Sequence, residues 1–506
     1  MVSRRSSFDS PISTYSASGL SGIGSASALV LLPESEDSNH DPYEVNSEDE
    51  TEEDPNDHVE IRPLATPLTS STVFLYLLSP YLRLGALCIP DGHTSLKYGL
   101  PSLVIAAMLS AFCRQIWSLL SRYLHKSTLE DIILEAFARG RKKRRVRAIV
   151  RPVVITLTIM SRIMLATMYL RESVDAISPL VSLTLSESLG SRVPLSIILS
   201  GIILSIASLA NNLAAKPVVY ATWLSVVSYI LWLVSAAYAH ATGTLGLHPS
   251  WVQRGLLWNG ITSIVFTFTT TLSVPLSASL SGGPGAPLAS KMGKSKSFQL
   301  LSMSSIALAA LLVLPLVFFS SSPNSPEISS ARSSIVISIL NASTLLFSIP
   351  SIIITIPSIP TPPVIKRYTS LFLSKLAVST VIILLNLVPV SIAAILNDVI
   401  LFLAIFGTYF LPALAHIVTH FFRRPLSIVV PQVPHSAPNT PSMACAPLPL
   451  PSPPSSPDFL LQRKERLLQR RRLGKRVVWD IGVWAVLIPI STCALIWCFG
   501  RVIRRW

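Results

Sequence analysis

The sequence predicts an all-helical integral membrane protein of about eleven membrane-spanning helices, arranged as two inverted five-helix repeats plus one extra helix. Three observations predict the membrane and the helices. Half of the 506 residues are apolar and only 13% are charged, and the mean hydropathy is +0.55. Soluble domains carry about 25% charged residues, so lipid is the main solvent. Apolar runs of about 20 residues recur from residue 70 onward, each long enough to cross a hydrocarbon core of about 30 Å as a helix. Basic residues gather in alternate loops between those runs, where positive charge orients membrane helices.

The first segment, residues 1–68, is the exception to this composition. Residues 1–60 hold 14 Asp/Glu against 2 Lys/Arg, and the acidic stretch from Glu34 to Glu60 has one aromatic, Tyr43. Such a segment cannot bury enough apolar surface to offset its ordering entropy, so a disordered acidic tail is expected. No basic stretch followed by an apolar one opens the chain, so no cleavable signal peptide is expected.

The apolar runs fall at about 72–90, 99–121, 152–170, 193–210, 218–240, 255–280, 299–320, 332–357, 369–394, 398–418 and 477–499. They are numbered here as spans one to eleven. Ten make a transporter-sized core over 70–420, and the eleventh lies in 476–506 with a short C-terminus. Span one is the weakest, since Arg83 interrupts it, and a ten-helix reading omits it. With a cytoplasmic N-terminus, the inside loops 122–151, 211–217, 281–298, 358–368 and 419–476 carry 26 Lys/Arg in all, whereas the outside segments carry 7. That asymmetry supports eleven crossings with the C-terminus outside.

Two inside segments have their own character. Thr128 and Asp131 stand three apart, followed by apolar residues at helical spacing, which predicts a capped amphipathic helix at the membrane interface over 129–137. It runs into the basic stretch Arg139 to Arg147, an orientation signal beside anionic lipid. Residues 421–475 are first rich in Pro and Ser, then basic. They read as an extended hydrated linker, either a plain spacer or a site for SH3, WW or phosphorylation-dependent partners.

Several function classes drop out. The net charge of +15 does not mark a nucleic-acid partner, because the basic residues sit in short loops and not along one groove. Cys88, Cys113, Cys445, Cys493 and Cys498 form no CxxC pair, which argues against a disulfide scaffold, a zinc ribbon or an iron–sulfur site. No HExxH, GxSxG, Walker or GxGxxG pattern is present, so no enzyme is expected. His416 and His420 are four apart without a neighbouring carboxylate, and no metal site is expected.

Function in such a protein belongs where the membrane interior breaks its own rules. In span one, Gly85, Ala86 and Leu87 precede Pro90; Gly85 loosens the helix and Pro90 frees an upstream carbonyl. In span six, Phe266-Thr267-Phe268-Thr269-Thr270-Thr271 precedes Pro275 and offers four hydroxyls, although threonines also satisfy themselves on the preceding turn. These spans open two halves of five, the place where inverted-repeat transporters interrupt their helices. Arg83 and Arg162 are the candidate functional charges. Arg83 has three open roles: pairing with a substrate carboxylate, plugging a site that no longer transports, or snorkelling to the interface. Arg162 is about 20 Å from Asp175 along the helix, so it needs another partner or a water-filled path. Asn259, Asn341 and Asn386 read as glue between helices, and Asp398 and Asp480 as caps or interfacial partners.

These features resemble the amino acid/auxin permease family of the amino acid-polyamine-organocation superfamily. Gly85-Ala86-Leu87 with Pro90 is similar to the second half of the family's G-x-G-[IL]-L-x-x-P motif. Tyr98-Gly99, the segment Leu129 to Gly140, Phe266 to Pro275 and Gly407 to Pro412 resemble later family features. Arg83 replaces the usual first glycine, and threonines stand where many members have a histidine. The resemblance implies a LeuT-like fold and secondary active transport of an amino acid by alternating access. Gly85, Ala86, Leu87, Thr267, Thr269, Thr270 and Thr271 would meet the substrate, a proton or sodium would be the coupling ion, and no other cofactor would be required. It also implies a vacuolar or other endomembrane location, with the plasma membrane as the alternative. The rival reading is an amino acid sensor or membrane scaffold that does not transport.

Overall fold

The computed structural model describes residues 68–503 apart from 93, 125, 127, 139–143, 185–191, 211, 244–255, 270–274, 277–287, 322–330, 358–370 and 421–479. The acidic tail, the Pro/Ser-rich loop, Thr270 and Thr271 therefore lie outside the described residues. Among the described residues every regular element is helical. Seven helices of the described residues are long and apolar enough to cross a membrane: Leu96–Leu124, Arg145–Val181, Lys216–Ala241, Ser297–Ser321, Ile335–Ile354, Ser391–Thr419 and Gly482–Gly500. Spans four and nine hold shorter apolar helices, Val193–Ser208 and Ser374–Asn386. Spans one and six are interrupted.

Span one breaks for a local reason. Helix α1 (Ser70–Leu78) starts on Thr69, whose hydroxyl accepts from the Thr72 N–H, and gives way to a 3₁₀ turn over Ser79–Leu82. Pro80 lies in the first turn there and has no N–H to return to the preceding helical turn. Arg83 is then extended (φ −118°, ψ −152°), and a four-residue turn α2 (Leu84–Leu87) resumes the helix. Thus the sequence reading set the loosening too far along the chain: Gly85, Ala86 and Leu87 keep helical geometry, and the break lies at Pro80 to Arg83.

The next helices are α3 (Leu96–Leu124), α4 (Leu129–Phe137), the 41-residue α5 (Arg144–Thr184), α6 (Arg192–Ser208) and α7 (Lys216–Ala241). Helix α4 starts as the spacing predicts, with the Thr128 hydroxyl accepting from the Asp131 N–H at 3.2 Å. Its apolar face is buried against α3, α5 and α13 (Leu411–His420). The second half holds α8 (Leu256–Thr267), α9 (Leu288–Ser321), α10 (Ala331–Ile354), α11 (Leu371–Asn386) and α12 (Val390–Ile405). A π-helical turn, Phe406–Phe410, joins α12 to α13, and α14 (Ile488–Val502) follows a second π turn in span eleven.

Two polar expectations change. Asp398 does not cap span ten, because α12 already begins after Pro389 and puts Asp398 in its interior. His416 does have a carboxylate nearby: its Nε2 lies 3.1 Å from Asp480 Oδ1, brought from span eleven. Asn386 behaves as glue, its amide donating to Ser196 Oγ at 2.7 Å and joining spans nine and four. The Lys375 ammonium donates to the Ala207 carbonyl at 3.0 Å and to that of Ala210, covering the C-terminal carbonyls of α6.

Large apolar side chains face outward along the long helices, with Met108 68% and Leu311 64% exposed, while Arg83, Arg114, Thr222 and Thr344 are buried. An apolar outside around a polar inside suits hydrocarbon. Helix α10 packs along α5, α6 and α7, and α9 packs along α3. The interrupted spans one and six meet between these pairs.

Candidate functional site

Spans one and six come together where glycine permits it. A Cβ on Gly85 would lie 2.6 Å from Thr267 Cα and 2.8 Å from its N, so only a residue without a side chain fits. The contact recurs farther along, where a Cβ on Gly92 would lie 2.8 Å from Gly260 Cα. This backbone-to-backbone approach holds the break in span one against the end of α8.

A cavity opens beside the contact. Span one supplies Pro80, Arg83 and Gly85 to its wall, and span six supplies Phe266, Thr267 and Thr269. Span three adds Ser161, Arg162, Leu165 and Tyr169; Thr355 follows α10, and Thr408 lies in the π turn of span ten. Of the substrate residues expected from sequence, Gly85, Thr267 and Thr269 thus share one cavity with both Arg83 and Arg162. Ala86 and Leu87 are buried off its wall.

The hydroxyls are partly committed. Thr267 Oγ1 donates to the Ser263 carbonyl at 2.7 Å, and Thr269 Oγ1 donates to the Phe266 carbonyl at 2.7 Å. The self-satisfied reading of these threonines holds for the proton of each hydroxyl, whereas the oxygen lone pairs stay available as acceptors.

Arg83 does not snorkel. It is 3% exposed, and its Nη2 donates at 3.0 Å both to Ser79 Oγ at the break and to Ser351 Oγ on α10. The guanidinium stands 6.0 Å from the Tyr169 ring centroid, within range of a cation–π contact. The serines and Tyr169, which is a further side-chain hydrogen-bond partner, are all neutral groups. Arg162, expected to need a partner other than Asp175, has Glu130 of α4 as the acid that acts on it electrostatically.

Sequence reasoning passed over Arg114, which lies 1% exposed inside α3. Its Nη2 donates to the Leu77 carbonyl at 2.8 Å, its Nη1 to Ser305 Oγ at 3.0 Å, and the Tyr81 ring lies 4.5 Å from the guanidinium. This charge covers a carbonyl at the end of α1, so it holds the break open without lining the cavity. The signal was present as a lone arginine in an apolar run. Ser351, Tyr169 and Thr408 gave no such signal, because hydroxyls are ordinary inside membrane helices.

The arrangement can bind a small polar molecule. It offers guanidinium donors on spans one and three, lone pairs on span six, and a hydroxyl in the widened turn of span ten. Comparison with models of protein families finds no match for the chain, and comparison with curated proteins finds no significant one.

Proposed function

We propose that the chain is a secondary active transporter that moves an amino acid across a membrane by alternating access, using eleven spans in two inverted repeats of five plus one. The observation that carries this reading is the meeting of two interrupted helices, at Gly85 and Thr267, beside a polar cavity within an apolar bundle. Interrupted helices at the repeat interface are how such transporters build a midplane site.

The packing supports the repeat. Exchanging each span for the one five places away turns the contact of two with six into seven with one, and four with eight into nine with three. In the same way five with eight becomes ten with three, one with five becomes six with ten, and five with seven becomes ten with two, all of which pack. The contacts of one with six, two with seven, three with eight and four with nine map onto themselves. Contacts of four with three and with five lack counterparts of similar extent, and five packs far more extensively on eight than ten does on three. The segments short of a full crossing also form pairs under the exchange, one with six and four with nine.

In this reading the substrate lies among Arg83, Arg162, Thr267 and Thr269, and the spans rock about it. The N-terminus is cytoplasmic, the coupling ion is a proton or sodium, and the protein resides in a vacuolar or other endomembrane. Saturable uptake of a labelled amino acid into vesicles containing the purified chain, driven by a proton or sodium gradient, is the expected result. Binding without uptake would replace transport by sensing.

A further inference from the structure

We infer that the cavity between spans one, three and six takes a small dicarboxylate anion, with an acidic amino acid as the member of that class that uses every group on its wall. This rests on the proposed transport reading and narrows its substrate. Two guanidiniums line the one cavity, and no carboxylate does so among the described residues. Arg83 is almost wholly buried, its Nε has no hydrogen-bond partner, and the groups that meet the rest of its guanidinium are neutral hydroxyls, Ser79 and Ser351 at 3.0 Å with Tyr169 beside them. Hydroxyls orient a cation without cancelling its charge. A guanidinium buried without a counter-charge is strongly disfavoured in a low-dielectric interior, and an arriving carboxylate would relieve that cost with charge-assisted hydrogen bonds.

Arg162, half-buried on span three, is the second guanidinium on the cavity wall. Glu130 acts on it through space, yet among the described residues no ion pair joins the two. The acid lies on α4, is itself 7% exposed, and does not line the cavity. Arg114 shows the contrast: that other buried guanidinium is aimed at a backbone carbonyl and an aromatic face, and it stays off the cavity wall. The two cavity arginines are therefore arranged for something that arrives.

The remaining polar groups fit the rest of the molecule. Thr267 and Thr269 have spent their protons on carbonyls of α8, so they present lone pairs and accept from an ammonium. One carboxylate for Arg83, one for Arg162 and an ammonium for the threonines together describe an acidic amino acid. A neutral amino acid would leave one guanidinium of the cavity unmatched. A cationic one would add a third positive charge to the same space.

The test uses the full purified chain in detergent and in vesicles, at constant ionic strength, with L-glutamate, succinate, L-leucine and L-lysine as probes. L-Glutamate is expected to raise the unfolding temperature and to be taken up, while L-leucine and L-lysine do neither. Arg83→Gln and Arg162→Gln are each expected to weaken L-glutamate binding tenfold or more, with Arg83→Lys losing less than Arg83→Gln. Because Arg83 also bridges spans one and eight, Arg162→Gln keeps the test decisive if the Arg83 variants fail to fold. Stabilisation and uptake with L-leucine but not L-glutamate would overturn the dicarboxylate site and leave amino acid transport standing. Activity with succinate alone would support the dicarboxylate site and remove the amino acid from the proposed function. No response to any probe would end both.

Discussion

At the scale of single residues, the informative positions are those where a rule of the membrane interior is broken and the break has a partner. Gly85 is legible in the sequence as a glycine near prolines in an apolar run, but its partner is not, since nothing local links residue 85 to Thr267. The gap between them makes a sharp prediction. In Gly85→Ala the new methyl would meet Thr267 main-chain atoms at 2.6–2.8 Å, and main chain cannot yield by changing rotamer. Overpacking of this kind costs about 1–3 kcal/mol. The variant should unfold at a lower temperature than the parent and lose uptake, because spans one and six are forced apart at the cavity. An unchanged unfolding temperature in Gly85→Ala would show that the helices do not approach this closely. The two cavity arginines were legible as charges in apolar runs, whereas their neutral partners were not. A serine such as Ser351 is common in membrane helices and becomes informative only when a guanidinium is seen to reach it.

At the scale of elements, the runs that the composition marks as helical do contain helices, because an apolar run of sufficient length leaves the backbone few other ways to pair its N–H and C=O groups. What the sequence hides is where a run stops being regular. Pro80 and Pro90 both punctuate span one, and the chain breaks at the first of them and carries the helical turn α2 before the second. In span ten, Gly407 to Phe410 form a wide turn in which the Leu411 N–H reaches back to the Phe406 carbonyl. Pairing between distant elements is equally hidden. His416 and Asp480 are separated by the whole Pro/Ser-rich loop, yet they meet at 3.1 Å and tie span ten to span eleven. His416 is 3% exposed, and removing the carboxylate strips a buried imidazole of a hydrogen bond, a loss of about 1–3 kcal/mol. Asp480→Ala should therefore lower thermal stability, and the effect should shrink in a His416→Ala background, giving a coupling of about 0.5–3 kcal/mol in a double-mutant cycle. Additive losses would mean that the contact does not join the two spans. Neither residue lines the cavity, so uptake by the protein that remains folded should persist.

At the scale of the whole molecule, the open quantity is how many times the chain crosses, and the repeat makes that count testable in a particular way. Among the described residues seven helices have full length, and the segments that fall short there are spans one, four, six and nine. They are paired by the fivefold shift, so losing any matched pair leaves both termini on their original sides. Reporters at the ends of the chain therefore cannot tell eleven crossings from nine or seven. Reporters between the short spans can, because each failed crossing inverts every loop until the next failure. The charge segregation of 26 Lys/Arg on one side against 7 on the other assigns those loops in advance. With the other cysteines replaced, a membrane-impermeant maleimide applied from the cytoplasmic side should label natural Cys445, Ala214→Cys and Gly285→Cys. Applied from the opposite side, it should label Leu247→Cys and Asn324→Cys. If span four failed to cross, the reporter at 214 would change sides; if span six failed, the one at 285 would do so while the one at 247 kept its place. Accessibility alternating through all five positions as stated requires spans four and six to cross despite their shortness or interruption. A cavity formed where the two halves meet depends on that requirement, since a span lying flat on the surface could not bring Thr267 to Gly85.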